Sequence, residues 1–344
     1  MSQPAARAAR IAVVIPAYNH EAYIGEAIDS VLGQDWPDLE LHVLDDGSSD
    51  ATNALAATAL DRAGKVRCSL ARQDNAGSAR TLNRPVDGVD ADLVAVLNSD
   101  DHYLPGRLRR LASLAEGGDF LAFSGVAFDP AAQVAPGQSF EHWYRGKLAY
   151  ALSLPTCGFA LVTANLAISS SNFVFSRALF DRVGGFDPAL TLTQDWAFLL
   201  KALRWTEPRL DPRRLLYYRS HATNSFRQLM DVRIDQSRAA LEAYIDWAEA
   251  SAPNRLAPTP ANWPRFFQIF ARSCAPAFSV EPVGDFLPAS LLAAKGPAGT
   301  TRQAEDAALG NLLSASRSRD ENLRRSTDEL LAIAADVWLS MAAV

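Results

Sequence analysis

Cysteine is scarce in this chain of 344 residues, and what there is excludes two common uses of it. The three cysteines, Cys68, Cys157 and Cys274, are far apart and odd in number, so they form neither a metal-binding spacing nor the even framework of a disulfide-stapled secreted domain. A reducing, cytoplasmic setting is expected, with the inner face of a membrane as the surface it could touch. A basic surplus is also missing. The net charge of -6 leaves no electrostatic footprint for nucleic acid, and that class of partner is excluded. The opening MSQPAARAAR is basic, but the apolar run from Ile11 to Ala17 is interrupted by Pro16, so no secretory h-region is expected. Residues 1–9 read as a flexible tail. Charge is absent altogether from Leu148 to Ser176, a length that would satisfy a membrane span. Pro155, Gly158, Asn165 and the run Ser169-Ser170-Ser171-Asn172 interrupt it, which favours a buried or ligand-facing segment and leaves peripheral membrane contact open.

What is present is ordinary globular material: hydrophobic residues make up 49% and charged residues 21%, far from the apolar-poor profile of disorder. The length suits two units. Two β-branched runs, IAVVI at 11–15 and LELHVL at 39–44, flank a segment from Glu21 to Gly33 whose apolar residues recur at helical spacing. Strand, helix and strand in that order make a parallel β-α-β unit. The alternation continues with a helix over 50–63, a strand over 66–70, a helix over 77–86 and a strand over 93–97, which predicts a doubly wound α/β sheet. After residue 226 long helical patterns take over (Gln228 to Ala250, Ala304 to Ala315, Ser326 to Ala342), separated by the Pro-rich APNRLAPTPANWP. The expected organisation is therefore a 10–226 domain followed by a helical 227–344 region, whose amphipathic faces serve packing or a homo-oligomer.

In such sheets ligands gather at the carboxyl ends of the strands. Polar clusters stand at three of these ends: Pro16-Ala17-Tyr18-Asn19, Asp45-Asp46-Gly47-Ser48-Ser49-Asp50 and Asn98-Ser99-Asp100-Asp101. Acids crowded together repel, and a cation relieves that repulsion, so a metal site is expected there.

Six motifs in register, VVIPAYN at 13–19, DDGSSD at 45–50, NAGSARTLN at 75–83, NSDD at 98–101, GGFD at 184–187 and QDWAFLLKAL at 194–203, resemble the inverting family 2 glycosyltransferases. The resemblance covers about residues 10–226. It implies a GT-A fold, a Rossmann-like mixed and mostly parallel sheet flanked by helices. It also implies a nucleotide-diphospho-sugar donor carrying uridine or thymidine, a divalent ion (Mn2+ or Mg2+), and a glycan, lipid-linked saccharide or protein acceptor. By the same resemblance Pro16, Ala17, Tyr18, Asn19, Asn75, Gly77 and Asn83 surround the nucleotide. Asp46 accepts from the base N3–H, or closes an Asx-turn with its neighbour Asp45. Arg80 and Arg84 stand either against the ligand or in solvent.

NSDD resembles the family's acidic signature, with Asp100 on the ribose or metal and Asp101 on the metal. A cation held there neutralises the charge that builds on a diphosphate leaving group. Asn98 departs from the fuller pattern, which has a further Asp. On the acceptor side the resemblance places Gly185, Phe186, Gln194 and Trp196 around the sugar and makes Asp195 the general base. The family carries Glu-Asp where this chain has Gln194-Asp195. Asp195 would equally cap the helix that follows. The segment YYRSHATNSF at 217–226 also resembles a family segment, and the resemblance implies His221 on the metal or a phosphate oxygen and Arg219 at the phosphates. Two other readings compete. A sugar nucleotidyltransferase would carry a Gly-rich phosphate loop after its first strand, and PAYNHEAYIGEAI has none. A non-catalytic nucleotide-sugar-binding partner would have no need of Asp100, Asp101 and Asp195.

Overall fold

A computed structural model of the chain describes residues 8–130, 132–135, 138–153, 157–163 and 165–221, with isolated positions between 232 and 247. Apart from those positions, the expected C-terminal helices lie outside the described residues, as does the tail up to residue 7. The chain divides into two compact units. One comprises Met1–Trp143, Ala167–Phe198 and Pro208–Gln228, and the other Tyr144–Leu166, Leu199–Glu207 and Leu229–Val344. The second unit thus draws two segments from inside the 10–226 range.

The first unit opens with the expected alternation: β1 (Ile11–Ala17), α1 (Ile24–Leu32), β2 (Leu39–Asp45), α2 (Thr52–Leu60), β3 (Arg67–Arg72), α3 (Ser78–Gly88) and β4 (Leu93–Val96). β1 is buried along its whole length except at Pro16, which is what a continuous IAVVI run gives a strand covered on both faces. α1 buries Ile24, Ala27, Ile28 and Val31, the i, i+3, i+4, i+7 stripe of a helix lying on a sheet. Along the chain there follow β5 (His102–Tyr103), α4 (Arg107–Ala112), β6 (Leu121–Phe128), the short β7 (Gln133–Ala135) and β8 (Gln138–Ser139), α5 (Phe140–Ser153), α6 (Cys157–Thr163), β9 (Val174–Ser176), α7 (Arg177–Val183), α8 (Gln194–Ala202) and β10 (Arg209–Tyr218), of which α6, most of α5 and the end of α8 fall in the second unit.

Among the described residues one eight-stranded sheet runs β3-β2-β1-β4-β9-β6-β10-β5. β3, β2, β1 and β4 are parallel. β9 is antiparallel to both β4 and β6, and β10 is parallel to β6. The mixed, mostly parallel sheet that the resemblance implies is therefore present. Phe173, Phe175, Phe180, Phe186 and Phe198 pack into one aromatic core in this unit, with Phe186 and Phe198 stacked at 4.6 Å.

The uncharged 148–176 stretch is cut into the end of α5, α6, a 3-10 turn at Ser170–Asn172 and β9. No helix among the described residues is long and apolar enough to cross a membrane. Within the second unit, Gly158 N–H donates to Glu207 Oε1 at 2.8 Å, and the Arg204 guanidinium lies 5.0 Å over the Trp247 ring.

Candidate functional site

The loops leaving β1, β2 and β4 emerge on one side of the sheet and are tied to one another. Asn19 N–H donates to Ser48 Oγ at 2.9 Å, and Ser49 N–H returns a bond to Asn19 Oδ1 at 2.8 Å. Asp45 is fully buried and serves the turn: its Oδ1 accepts from the Ser48 N–H and hydroxyl, and Arg72 pairs with Oδ2 at 3.3 Å. Gly47 follows with φ +80, and a Cβ there would stand 3.0 Å from the Asn75 nitrogen and 3.1 Å from the Gln73 carbonyl. Only glycine lets the β2 loop approach the segment before α3 so closely.

These loops line a cavity of about 650 Å³. Pro16, Ala17, Tyr18, Asn19, Asp46, Asn75, Gly77, Asp100, Gln194 and Asp195 are all in its lining, and all belong to the first unit. Asp46 has little acceptor capacity left. Its Oδ1 receives Gln73 Nε2 at 2.7 Å and Ala76 N–H at 2.8 Å, and its Oδ2 receives Gly77 N–H at 3.0 Å. Gln194 is tied to α3, where its Nε2 donates to Ser78 Oγ at 3.2 Å. Asp195 Oδ1 accepts from the following Trp196 N–H at 2.7 Å, at the start of α8.

Several expected residues are placed elsewhere, each for a visible reason. Asn83 is not in the lining: its side-chain amide is spent on Phe186, donating to the carbonyl at 2.7 Å and accepting from the N–H at 2.8 Å. Gly185 (φ +74) permits that contact, since a Cβ would meet Asn83 Oδ1 at 2.9 Å. Phe186 belongs to the aromatic core and Trp196 is buried, so neither lines the cavity. Arg219 bonds its guanidinium to Glu26, stacks it 4.9 Å over Tyr23, and donates from Nε to the Asp100 carbonyl at 3.0 Å.

The two acids of the NSDD loop diverge. Asp101 is 1% exposed and turns inward, where Oδ2 accepts from Ser171 Oγ at 2.5 Å and Oδ1 from Arg219 N–H at 3.0 Å. Burial, and then the charge of Asp100, hold its carboxyl well above the ordinary carboxylate range. Asp100 faces the cavity instead, with His221 Nε2 at 3.0 Å and His20 Nε2 at 3.9 Å from its Oδ2. The ligand atoms of His20, Asp100 and His221 lie within 4.8 Å of one another. Burial pushes the His20 imidazole below its usual value, with the Asp100 carboxylate opposing, so the ring is neutral and free to ligate near neutral pH. Two imidazoles and a carboxylate are a donor set for a divalent ion. His20 is the residue that sequence reasoning passed over. The signal was its place, directly after PAYN in the β1 loop that faces the acidic loop.

A profile described as Glycosyl transferase family 2 matches residues 12–184. The succinoglycan biosynthesis protein ExoO of Rhizobium meliloti is 32% identical over 203 residues, covering 56% of this chain and 55% of that protein. A GalNAc(5)-diNAcBac-PP-undecaprenol beta-1,3-glucosyltransferase of Campylobacter jejuni is 29% identical over 109 residues, 32% of this chain and 35% of that one. The chain spans 55% to 65% of the length of ExoO and of two similar Rickettsia glycosyltransferases. Among solved structures, S. aureus TarS 1-349 in complex with UDP-GlcNAc is similar with a TM-score of 0.58 at 16% identity, covering 96% of this chain and 90% of that one. The mannosyltransferase PcManGT from Pyrobaculum calidifontis, in complex with GDP-Man and Mn2+, is similar with a TM-score of 0.55 at 19% identity, covering 97% and 88%. At these identities the likenesses establish the fold.

Proposed function

The chain belongs to glycosyl transferase family 2, and from that premise we propose that it moves a sugar from a UDP- or dTDP-sugar to an acceptor hydroxyl with inversion at the anomeric carbon. The observation that carries this reading is one cavity lined by Asp46, Asp100 and Asp195, three carboxylates suited to three different tasks.

Asp46 selects the base. A carboxylate offers about four acceptor positions, and three on Asp46 are taken by Gln73, Ala76 and Gly77. The position left on Oδ2 suits the single N3–H of uracil or thymine. Guanine would present N1–H and N2–H together and need two. Asp100 and His221, 3.0 Å apart, hold a divalent ion, which when bound neutralises the charge developing on the departing diphosphate. Asp195 takes the proton from the acceptor hydroxyl as its oxygen attacks. The relatives in succinoglycan biosynthesis and undecaprenol-linked glucosyl transfer support a glycan or lipid-linked saccharide as acceptor.

The test is calorimetry of UDP, dTDP and GDP with and without Mn2+ or Mg2+, followed by NMR of the product formed from the donors that bind. Uridine or thymidine diphosphate should bind in a metal-dependent way and the product should have the inverted anomeric configuration. Preference for GDP would remove the role of Asp46, and retained configuration would remove that of Asp195.

A further inference from the structure

We propose that His20 is a third protein ligand of the cation, and that the set His20, Asp100 and His221 binds a Mn2+-type ion without nucleotide and prefers it to Mg2+. The inference rests on the metal-assisted reading above and adds a ligand from a different loop and a choice of ion.

The geometry suits a shared cation. Two ligand atoms at right angles on an ion with bonds of about 2.1 Å stand about 3.0 Å apart, and atoms on opposite sides about 4.2 Å. His221 Nε2 and Asp100 Oδ2 are 3.0 Å apart, and His20 Nε2 is 3.9 Å from the same oxygen. The loop itself is fixed, since His20 N–H donates to Thr52 Oγ1 at 2.7 Å. The His20 ring has a built outer partner as well: Nδ1 is 2.8 Å from Ser99 Oγ. Ligating imidazoles commonly donate their other ring N–H to such a partner, which sets the tautomer and leaves Nε2 as the ligand. His20 and His221 meet edge to face, with ring centroids 5.6 Å apart, which keeps the two rings beside each other on the Asp100 side chain.

Ligand chemistry then chooses the ion. Mg2+ takes oxygen ligands and keeps much of its water, whereas first-row transition ions accept nitrogen donors as well, Mn2+ the least tightly of the series. A site with one carboxylate beside two imidazoles therefore favours Mn2+ over Mg2+. Three ligands from the chain alone also remove the need for phosphate oxygens before the ion can bind.

The experiment titrates the nucleotide-free, full-length protein with MnCl2 and follows free Mn2+ by its EPR signal, with MgCl2 as competitor. One Mn2+ should bind, and an equal concentration of Mg2+ should fail to displace it. Loss of an outer partner alone costs metal sites about 10–100-fold, so His20→Gln should weaken nucleotide-free Mn2+ binding by at least about tenfold. Pulsed EPR of the wild-type Mn2+ complex should show nitrogen couplings from two imidazoles, a readout that needs no variant. Couplings from a single imidazole, wild-type affinity in His20→Gln, or displacement by equimolar Mg2+ would each overturn the inference. UDP binding with Mn2+ in wild type tests the donor reading separately. If UDP binds only together with Mn2+, and Mn2+ does not bind alone, the His20 inference fails and the transferase reading stands.

Discussion

The Ser171 hydroxyl donates to Asp101 Oδ2 at 2.5 Å, and this bond joins the turn before β9 to the acidic loop after β4. Ser171 Oγ also accepts from Asn98 N–H at 2.9 Å, and Ser170 Oγ donates to Asn98 Oδ1 at 3.1 Å. The turn is anchored in turn by Asn172, which pairs with the backbone of Ser124, and by the buried Arg107, which donates to Ser124 Oγ at 2.7 Å and to the Asn172 carbonyl at 2.8 Å. On its other oxygen Asp101 takes Arg219 N–H, two residues before His221. Asp101 is thus a clasp between three loops, and Asp100 is left to face the cavity.

Two substitutions separate a clasp from a ligand. Ser171→Ala strands buried groups on both loops and should lower stability by about 1–3 kcal/mol, read as a shifted midpoint in urea unfolding. Asp101→Asn keeps an oxygen for Arg219 N–H and offers an amide to Ser171, so metal-supported UDP binding should change by less than about tenfold, the lower end of what metal-shell losses cost. A larger loss in calorimetry would put the Asp101 carboxylate on the ion.

The base-recognition role of Asp46 predicts a loss confined to the nucleotide. Asp46→Asn cannot accept on its nitrogen; with the amide nitrogen on the Oδ2 side it loses the Gly77 N–H as well as the base N3–H, a hydrogen bond to a charged group being worth about 1.5–3 kcal/mol. The affinity for UDP should fall by about 10- to 100-fold, with Mn2+ binding to the nucleotide-free protein unchanged. An unaltered dissociation constant for UDP in calorimetry would move base recognition elsewhere.

The sheet was legible because its evidence is periodic. β1, α1, β2 and β4 were expected within a few residues of where they stand, since continuous apolar runs and helical stripes of burial leave a direct mark on composition. The site was legible only as loops. NSDD announces acids at a strand end, but whether Asp100 or Asp101 turns toward the cavity depends on Ser171 and Arg219, which are 70 and 118 residues away. GGFD likewise announces a tight turn. That its Phe186 enters an aromatic core and its backbone is held by Asn83 is a long-range outcome that no local pattern carries. His20 went unnoticed because a single histidine has no period, and only the facing loop gives it partners.

Turnover should depend on Asp195 without binding doing so. Asp195→Asn preserves the size of the side chain and the acceptor for Trp196 N–H, but it cannot take up a proton. Turnover should fall by at least about 100-fold, the usual scale for a general base, while calorimetric affinity for the donor nucleotide stays near wild type. Full turnover in this variant would assign the base to another group.

Lys147 supplies a test by pH. It is 4% exposed, and burial pushes its amine down to about 7 from an ordinary value of 10.5. Between those two values the unfolded chain holds a proton that the folded chain has released, so stability rises with pH across that window. The cost of burying this amine is therefore fully present below about pH 7 and is relieved as the pH approaches 10.5. Lys147→Met fills similar space with no charge to lose. It should raise Tm at pH 6 by an amount corresponding to a few kcal/mol at most, on the order of 1.4 kcal/mol for each tenfold loss in the proton affinity of the amine, and the gain should shrink steadily toward pH 10. A Tm difference between variant and wild type that does not change with pH would show that the Lys147 amine is charged in the folded protein throughout.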